Sequence, residues 1–281
     1  MNYESSRPAL IALDLDGTLL NSAKELTPRS RRALESAAAA GIEIVPATGR
    51  FFRGIPEPVR ALPFLHYAIT INGAQVLDIQ NERSIYSAPV PLERTIEVLT
   101  YLDTLPVMYS CYQDDWGFVT EDMRRRAEDY IDYAPSLDML NRLHTGVPEL
   151  KAFLTEKGRG PQKFQLFTRD RAFRDRLLRE LPERYPDLQI TNAMPNNIEF
   201  NAAGGNKGAA LSALAEHLGL DRERTMAFGD GLNDIAMLRA AGCGVAMENA
   251  WDAVKAAAER IAPSCDADGV AAVIEELLNI T

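Results

Sequence analysis

The sequence lacks several features that would mark particular classes of protein. Only three cysteines occur in 281 residues, and their spacing matches neither a CxxC pair nor a zinc site: Cys111, Cys243 and Cys265. No apolar run reaches the roughly 18 residues of a membrane-spanning helix, and the polar start MNYESSRP lacks the basic and apolar segments of a secretory signal. We therefore expect a protein of a reducing compartment, the cytoplasm, with no membrane partner.

Positive charge is also scarce, with 30 Lys and Arg against 40 Asp and Glu and a net charge of -10. This balance argues against a nucleic-acid partner, because binding to a phosphate backbone needs a basic face. A hydrophobic fraction of 46% and a charged fraction of 25% are ordinary for a folded globular protein. The length predicts one large or two medium domains.

The stretch Pro8–Asn21 is an apolar run that ends in two carboxylates. Ala9–Leu13 is typical of a strand buried on both faces of a parallel sheet, and Asp14 and Asp16 follow at its carboxyl end, where open α/β sheets bind ligands. Close carboxylates repel each other, so the pair predicts magnesium, a shifted pKa, or both. The alternative is an Asx-rich turn after a strand.

The order of predicted elements indicates a doubly wound, Rossmann-like α/β core. A helix capped by Thr27 and begun by Pro28 separates the first strand from GIEIVP, and further strands are predicted at Ala68–Ile71, Arg224–Phe228 and GCGVAM. Between them, strands and helices follow one another in α+β order. We predict a core domain of residues 1–83 and 201–281, with an inserted cap domain at 84–200.

Three further segments place small or charged residues at strand ends or a helix start. Thr48 and Gly49 in ATGR offer donors to phosphate oxygens, or form a capped turn. Lys207 begins a helix, where a cation opposes the dipole, so a bound anion or simple solvation would explain it. The loop Gly229–Asp234 suits magnesium, or an Asp-Gly turn with a helix cap.

Two other groups of polar residues carry weaker signals. Asp266 and Asp268 precede Gly269 and are interpreted as turn formers. A predicted hairpin supplies side chains that would either line a pocket for a polyol or ring, or stand at a solvated tip: Tyr109, Tyr112, Asp114, Asp115 and Trp116.

The motifs together resemble those of haloacid dehalogenase-like hydrolases in order and spacing. The matching segments are DLDGTLL at Asp14–Leu20, Thr48 in ATGR, Lys207, and GDGLND at Gly229–Asp234. The long insertion between ITINGA and NKGAAL is similar to the Cof-type subclass IIB, whose members are mostly phosphatases. One departure is Glu248, which precedes Asn249 where members commonly have a glycine.

This resemblance implies a role for each matching residue. Asp14 would form an aspartyl-phosphate, and Asp16 would act as general acid and then general base. Mg²⁺ would be held by the Asp14 carboxylate, the Asp16 backbone carbonyl and Asp230, with Asp234 binding directly or through water. The implied phosphate and substrate site comprises Leu15, Thr48, Gly49, Arg50, Lys207 and Asn233.

The resulting expectation is a magnesium-dependent phosphatase acting on a small phosphorylated metabolite, with a sugar phosphate as the first choice. Three alternatives remain open at this point. They are a sugar phosphomutase, a signalling protein phosphorylated on aspartate, and a catalytically silent protein that binds a phosphorylated ligand.

Overall fold

A computed structural model describes residues 7–192 and 194–280. The first six residues of the polar start, and Ala193 at the end of the predicted strand LQITNA, lie outside the described residues. The chain divides into two compact units, Met1–Tyr86 with Asn206–Thr281, and Ser87–Gly205. The sequence predicted these boundaries after residues 83 and 200. The observed second boundary lies further along the chain than the predicted one, because the last strand of the inserted unit continues to Ala202.

The first unit is built on a parallel sheet of five strands. Numbered in chain order, its strands are β1 (Leu10–Leu13), β2 (Glu43–Pro46), β12 (Thr225–Gly229), β13 (Cys243–Met247) and β14 (Arg260–Ala262). Their order across the sheet is β14-β13-β12-β1-β2. The strand β1 therefore lies between β2 and β12, and it is wholly buried because both faces of the sheet are covered.

Helices cover this sheet on both sides, as the doubly wound prediction requires. They are α1 (Pro28–Ala39), α2 (Glu57–Arg60), α9 (Lys207–His217), α10 (Ile235–Ala240), α11 (Asp252–Lys255) and α12 (Gly269–Leu278). Because side chains alternate along a strand, Ile11 and Leu13 enter one apolar core while Leu10 and Ala12 enter the other. Thr27 caps α1, as predicted, by accepting a hydrogen bond of 3.0 Å from the Ser30 N–H. The parallel sheet covered by helices on both sides confirms the predicted α/β class.

One strand departs from the predicted parallel sheet. The segment predicted at Ala68–Ile71 forms β3 (Tyr67–Thr70), but its partner is the antiparallel strand β4 (Gln75–Asp78). These two strands and β5 (Arg83–Ser87) make a separate three-stranded sheet. A parallel bridge, Ala47 to Ile69, joins β3 to the end of β2, so β3 keeps the predicted direction beside the five-stranded sheet. The short connection of β3 to β4 explains the difference, since a parallel neighbour needs a long crossover.

The second unit has the predicted α+β character. Its strands are β6 (Met108–Gln113), β7 (Trp116–Thr120), β8 (His144–Val147), β9 (Lys163–Phe167), β10 (Leu188–Thr191) and β11 (Asn197–Ala202). They form one sheet in the order β10-β11-β9-β6-β7-β8, antiparallel except for the pair β7 and β8. Its helices are α3 (Leu92–Leu102), α4 (Glu121–Arg125), α5 (Ala127–Tyr130), α6 (Ala134–Leu143), α7 (Leu150–Lys157) and α8 (Arg171–Arg184).

The predicted hairpin is present, and its two tyrosines lie on opposite faces of the sheet. Tyr109 lies in the apolar core and donates a hydrogen bond of 2.6 Å to Asp103, whereas Tyr112, an odd number of residues away, belongs to the opposite face. Asp114 and Asp115 form the tight turn with φ of 55° and 60°. Tyr109 and Tyr112 therefore do not line one pocket together, because strand alternation places their side chains on opposite faces of the sheet.

No helix in the described part of the chain is long and apolar enough to cross a membrane. All three cysteines are free.

Candidate active site

The loop after β1 makes one wide helical turn that carries the first pair of carboxylates. The Leu19 N–H donates to the Asp14 carbonyl at 3.2 Å, and the Leu20 N–H donates to the Leu15 carbonyl at 2.8 Å. The Leu15 side chain is fully buried in the core, so any contact of Leu15 with a ligand must come from its backbone. The turn presents Asp14 and Asp16 to different surroundings.

Gly17 and Thr18 bring this loop against the loop that follows β12. Gly17 has φ of 94°, and a Cβ added there would lie 2.5 Å from an Asp230 carboxylate oxygen, so only glycine fits. The Thr18 hydroxyl donates to Asp230 at 2.8 Å. The side chain of Asp230 is therefore fixed directly beside the turn that carries Asp14.

Lys207 is the central cation of the buried side of the site. It is the first residue of α9, whose cap, Asn206, accepts from the Ala209 N–H at 3.0 Å. The Lys207 ammonium lies 2.6 Å from the Asp14 Oδ1 and 2.6 Å from the Asp234 Oδ1. The Lys207 side chain is 0% exposed, so both ion pairs are shielded from water.

The acidic groups shift each other's proton affinity. Burial raises the pKa of Asp14 to about 8; Lys207 opposes this shift, whereas the negative charges of Asp234 and Asp230 add to it. The pKa of Asp230 is also raised, chiefly by burial, against the hydrogen bond from Thr18. Burial lowers the pKa of Lys207, but its two carboxylate partners outweigh burial and raise it overall.

The donor set of this cluster suits a hard divalent cation. One oxygen from each of Asp14, Asp230 and Asp234 lies within 4.8 Å of the others. Three carboxylates face one ammonium, so a doubly charged cation would balance the cluster, and carboxylate oxygens are the ligands that Mg²⁺ prefers. The Asp234 Oδ2 already accepts from the backbone N–H groups of Asp230 (3.0 Å) and Gly231 (2.9 Å), which orients the loop.

Asp16 has its own cations on a half-exposed side of the site. Arg50 donates to both oxygens of Asp16, from Nε at 3.1 Å and from Nη2 at 3.2 Å. The Lys24 ammonium lies 3.1 Å from the Asp16 Oδ1. Partial burial works to raise the pKa of Asp16, but the charges of Arg50 and Lys24 outweigh it, and the pKa lies below its ordinary value.

The ATGR segment meets the loop after β12 through Asn72. The Asn72 N–H donates to the Thr48 carbonyl at 3.0 Å, and the Asn233 amide donates to the Asn72 Oδ1 at 3.4 Å. A Cβ on Gly49 would lie 2.5 Å from that same oxygen. Asn72 has φ of 60°, a left-handed conformation that asparagine tolerates. Asn72 thus links Thr48 to Asn233 and packs closely against Gly49.

The structure brings Asp14, Lys207, Asp230 and Asp234 into one cluster, and sets Asp16 with Arg50 beside it. Sequence analysis assigned no role to three residues of the surroundings: Thr18, Lys24 and Asn72. Thr18 lies within the matching segment DLDGTLL, whereas Lys24 lies in none of the matching segments. The only signal for Asn72 was its place in ITINGA.

The loops around the site are tied together at the C-terminal side of the sheet. The Asn249 side chain donates to the Gly17 carbonyl at 2.8 Å and accepts from the Cys265 N–H at 2.9 Å. Asp268 accepts from the Thr27 hydroxyl at 2.6 Å, and Asp266 accepts from the Ser22 N–H at 2.8 Å. Both aspartates therefore act in loop structure, as expected, and neither is in the acidic cluster of the described residues.

A parallel sheet that ends in such a cluster defines an α/β protein with an acidic site at the carboxyl ends of its strands, and comparison with known proteins identifies its family. The model of the haloacid dehalogenase-like hydrolases matches residues 11–274. The chain belongs to this family and to its Cof type, and it is a phosphatase.

Relatives with related activities cover nearly the whole chain. It is 33% identical over 94% of both chains to 5-amino-6-(5-phospho-D-ribitylamino)uracil phosphatase YcsE of Bacillus subtilis. It is 32% identical to pyridoxal phosphate phosphatase YbhA of Escherichia coli, over 94% of this chain and 97% of the relative. A haloacid dehalogenase-like hydrolase from Bacteroides thetaiotaomicron has a similar crystal structure, with a TM-score of 0.80, 30% identity, and coverage of 96% of this chain and 100% of that one.

Proposed function

We propose that this phosphatase is magnesium-dependent and hydrolyses a small phosphorylated metabolite through an aspartyl-phosphate on Asp14. The observation that carries the proposal is the buried cluster in which Asp14 shares the Lys207 ammonium with Asp234, next to Asp230. Separate segments of the chain supply a carboxylate nucleophile, fixed positive charge and metal-ligand oxygens at one place, as phosphoryl transfer requires.

The proposed cation site uses Asp14, Asp230, the backbone carbonyl of Asp16 and Asp234. Both oxygens of Asp234 already accept hydrogen bonds, which supports contact through a water molecule for this residue. When bound, Mg²⁺ would supply positive charge that offsets the repulsion between the carboxylate nucleophile and an anionic substrate.

The two aspartates of the β1 loop divide the chemistry between them. An oxygen of Asp14 attacks phosphorus while the bond from phosphorus to the leaving oxygen breaks, and that oxygen takes a proton from Asp16. Asp16 then removes a proton from water, whose oxygen attacks phosphorus and releases inorganic phosphate and the Asp14 carboxylate. Asp16 is one-third exposed and lies outside the acidic cluster, so it can exchange a proton with water, and its pairs with Arg50 and Lys24 favour the carboxylate that acts as base in the second step.

The remaining residues would hold the phosphoryl oxygens, where negative charge is spread in the transition state. Lys207 offers a buried charge, and Thr48 and Asn233 offer neutral donors fixed through Asn72. Gly49 and Leu15 would contribute backbone groups, and Arg50 would contact the substrate beside Asp16. We assign leaving-group selection to the second unit, which is the cap in the terms of this family.

The proposed substrate class is small phosphate esters, with sugar phosphates first. Support comes from relatives whose names specify a phosphoribitylamino-uracil and pyridoxal phosphate, both alkyl phosphates of small polar molecules. The three free cysteines support a cytoplasmic location.

A phosphate-release panel tests the proposal directly. Purified protein is incubated with Mg²⁺ and glucose 6-phosphate, ribose 5-phosphate, pyridoxal 5′-phosphate, flavin mononucleotide or 4-nitrophenyl phosphate, with a chelator as the control. We expect inorganic phosphate from at least one alkyl phosphate, and none in chelator. Isomerised sugar phosphate without free phosphate would indicate a mutase, and no reaction with any ester would contradict the proposal.

A further inference from the structure

Two glycines lie against the start of α9, where Lys207 is the first residue, and neither has a role in the proposed chemistry. A Cβ added to Gly73 would lie 2.2 Å from the Asn206 carbonyl carbon and 2.3 Å from the Lys207 backbone nitrogen. A Cβ added to Gly208 would lie 2.3 Å from the Ala236 carbonyl oxygen, in the helix α10. Cβ atoms do not approach backbone atoms so closely. The start of α9 is therefore packed against its neighbours on two sides.

Gly73 belongs to a turn whose backbone is left-handed throughout. Ile71, Asn72 and Gly73 have φ of 55°, 60° and 93°. This conformation is most unfavourable for a β-branched residue such as Ile71, whose side chain is fully buried. The Ile71 N–H donates to the Arg50 carbonyl at 2.8 Å, and the Asn72 N–H donates to the Thr48 carbonyl. A strained turn that its surroundings hold in place points to a function, and this turn joins the ATGR segment to the start of α9.

On its other side, the start of α9 meets the start of α10 at Gly208. The helix α10 begins at Ile235, directly after Asp234, whose carboxylate lies 2.6 Å from the Lys207 ammonium. The spacing of the two helices therefore determines this ion pair. Helix formation does not explain a glycine in the first turn of α9, because alanine has the higher helix propensity.

We propose that Gly73 and Gly208 are positioning residues for Lys207. Because they lack side chains, the start of α9 packs directly against the turn Ile71–Gly73 and against α10, and this packing fixes the Lys207 ammonium. The inference rests on the proposed function, in which Lys207 holds phosphoryl oxygens. A cation that is already in place stabilises the charge of the transition state without moving during the reaction.

Three variants test this inference. Gly73→Ala and Gly208→Ala each place a methyl group in one of the two contacts. Gly219→Ala is the matched control, because Gly219 lies just after the other end of α9, has φ of 65°, and would have nothing within 4 Å of an added Cβ. Gly208 lies within the helix, so Gly208→Ala tests the contact without left-handed strain even where Gly73→Ala fails to fold.

The first readout is steady-state hydrolysis, in Mg²⁺, of the ester that reacts fastest in the phosphate-release panel. We expect kcat to fall about 100-fold in each contact variant, the effect of a misplacement of roughly 1 Å at a catalytic group. KM should change by less than about threefold, because the interaction that is lost acts mainly in the transition state. In Gly219→Ala, kcat should change by less than about twofold.

The second readout is NMR of isotope-labelled lysine side chains in the same buffer, which reports on Lys207 without any reaction. The Lys207 ammonium is fully buried between two carboxylates, so its protons are shielded from exchange with water. Its signal is assigned by its absence from Lys207→Met. We expect this signal to shift in Gly73→Ala and Gly208→Ala and to stay unchanged in Gly219→Ala, with circular dichroism as the control for folding.

A fall in kcat with the Lys207 signal unchanged, an unchanged kcat in both contact variants, or equal losses in all three variants would overturn the inference and leave the proposed function intact. Failure of the unmodified protein to hydrolyse any ester would overturn the proposed function. A shifted Lys207 signal in the two contact variants would then still show that the glycines fix this side chain.

Discussion

Asp14 and Asp16 are two residues apart on one loop, yet their surroundings shift their pKa values in opposite directions. Asp14 is buried against Lys207 and two other carboxylates, and its pKa rises to about 8. Asp16 is one-third exposed beside Arg50 and Lys24, and its pKa falls. The same residue type thus acquires two chemical roles from its surroundings alone.

The same comparison separates a buried side of the site, whose residues should also stabilise the fold, from an exposed side, whose residues should affect catalysis almost alone. On the buried side, Lys207 holds Asp14 and Asp234, backbone N–H groups also hold Asp234, and the Thr18 hydroxyl holds Asp230. On the exposed side, long flexible cations hold one carboxylate in contact with water. We expect changes on the buried side to affect both folding and catalysis, and changes on the exposed side to affect catalysis almost alone.

The largest effect should follow Asp14→Asn. The amide cannot attack phosphorus, so we expect phosphate release to fall by on the order of 10⁴-fold or more, for alkyl and aryl esters alike. The measurement is phosphate release in Mg²⁺ with circular dichroism as the control for folding. Substantial activity in a correctly folded Asp14→Asn protein would show that Asp14 is not the nucleophile.

Lys207→Met should destabilise the metal-free protein by about 3 kcal/mol at pH 8, because Asp14 and Asp234 lose their buried counterion. Lys24→Asn is the matched change on the exposed side and should alter stability by less than about 1 kcal/mol. Urea unfolding of both variants measures the difference. Similar losses in the free energy of unfolding for the two variants would contradict the division into a buried side that stabilises the fold and an exposed side that does not.

Magnesium binding should strengthen as the pH rises from 6 to 8. Asp14 has a raised pKa in the metal-free fold, so a proton competes with the cation below about pH 8, and the apparent affinity should increase up to about tenfold per pH unit. The same raised pKa means that the metal-free fold loses stability as the pH rises from about 4 to about 8. Titration calorimetry at several pH values measures the affinity, and a flat profile would contradict the assignment.

The smallest effect should follow Asn72→Gly, which keeps the left-handed backbone but removes the side chain between Gly49 and Asn233. The loss of about one hydrogen bond, roughly 1 kcal/mol, should raise KM about fivefold with little change in kcat. Steady-state kinetics measure this split. Asn81→Gly, which alters an asparagine away from the cluster, is the control and should leave KM unchanged.

The sequence was most informative where the candidate functional residues lie together in short local patterns. An apolar strand followed by Asp14 and Asp16, and the loop Gly229–Asp234 after another strand, were enough to predict carboxylates at one sheet edge. Parallel pairing of β1 with β12 brings those two loops together, and the alternation of strands and helices along the chain predicted a parallel sheet.

What the sequence did not reveal depends on backbone conformation and on distant contacts. Lys24 has no pattern that distinguishes it from an ordinary solvated lysine until its left-handed turn directs it to Asp16. Asn72 lies 161 residues from its partner Asn233, and NG is an ordinary turn signal. The antiparallel pairing of β3 with β4 was missed because a short buried apolar strand looks the same in either orientation.

The central claim is tested most directly by trapping the covalent intermediate. Asp16→Asn lacks the proposed base for hydrolysis, so the phosphorylated enzyme should accumulate when the variant is mixed with 4-nitrophenyl phosphate and Mg²⁺. Borohydride reduction after acid quench converts an aspartyl-phosphate to homoserine, which peptide mass spectrometry locates. We predict homoserine at position 14; homoserine at Asp230 or Asp234, or none while nitrophenol is released, would contradict the claim.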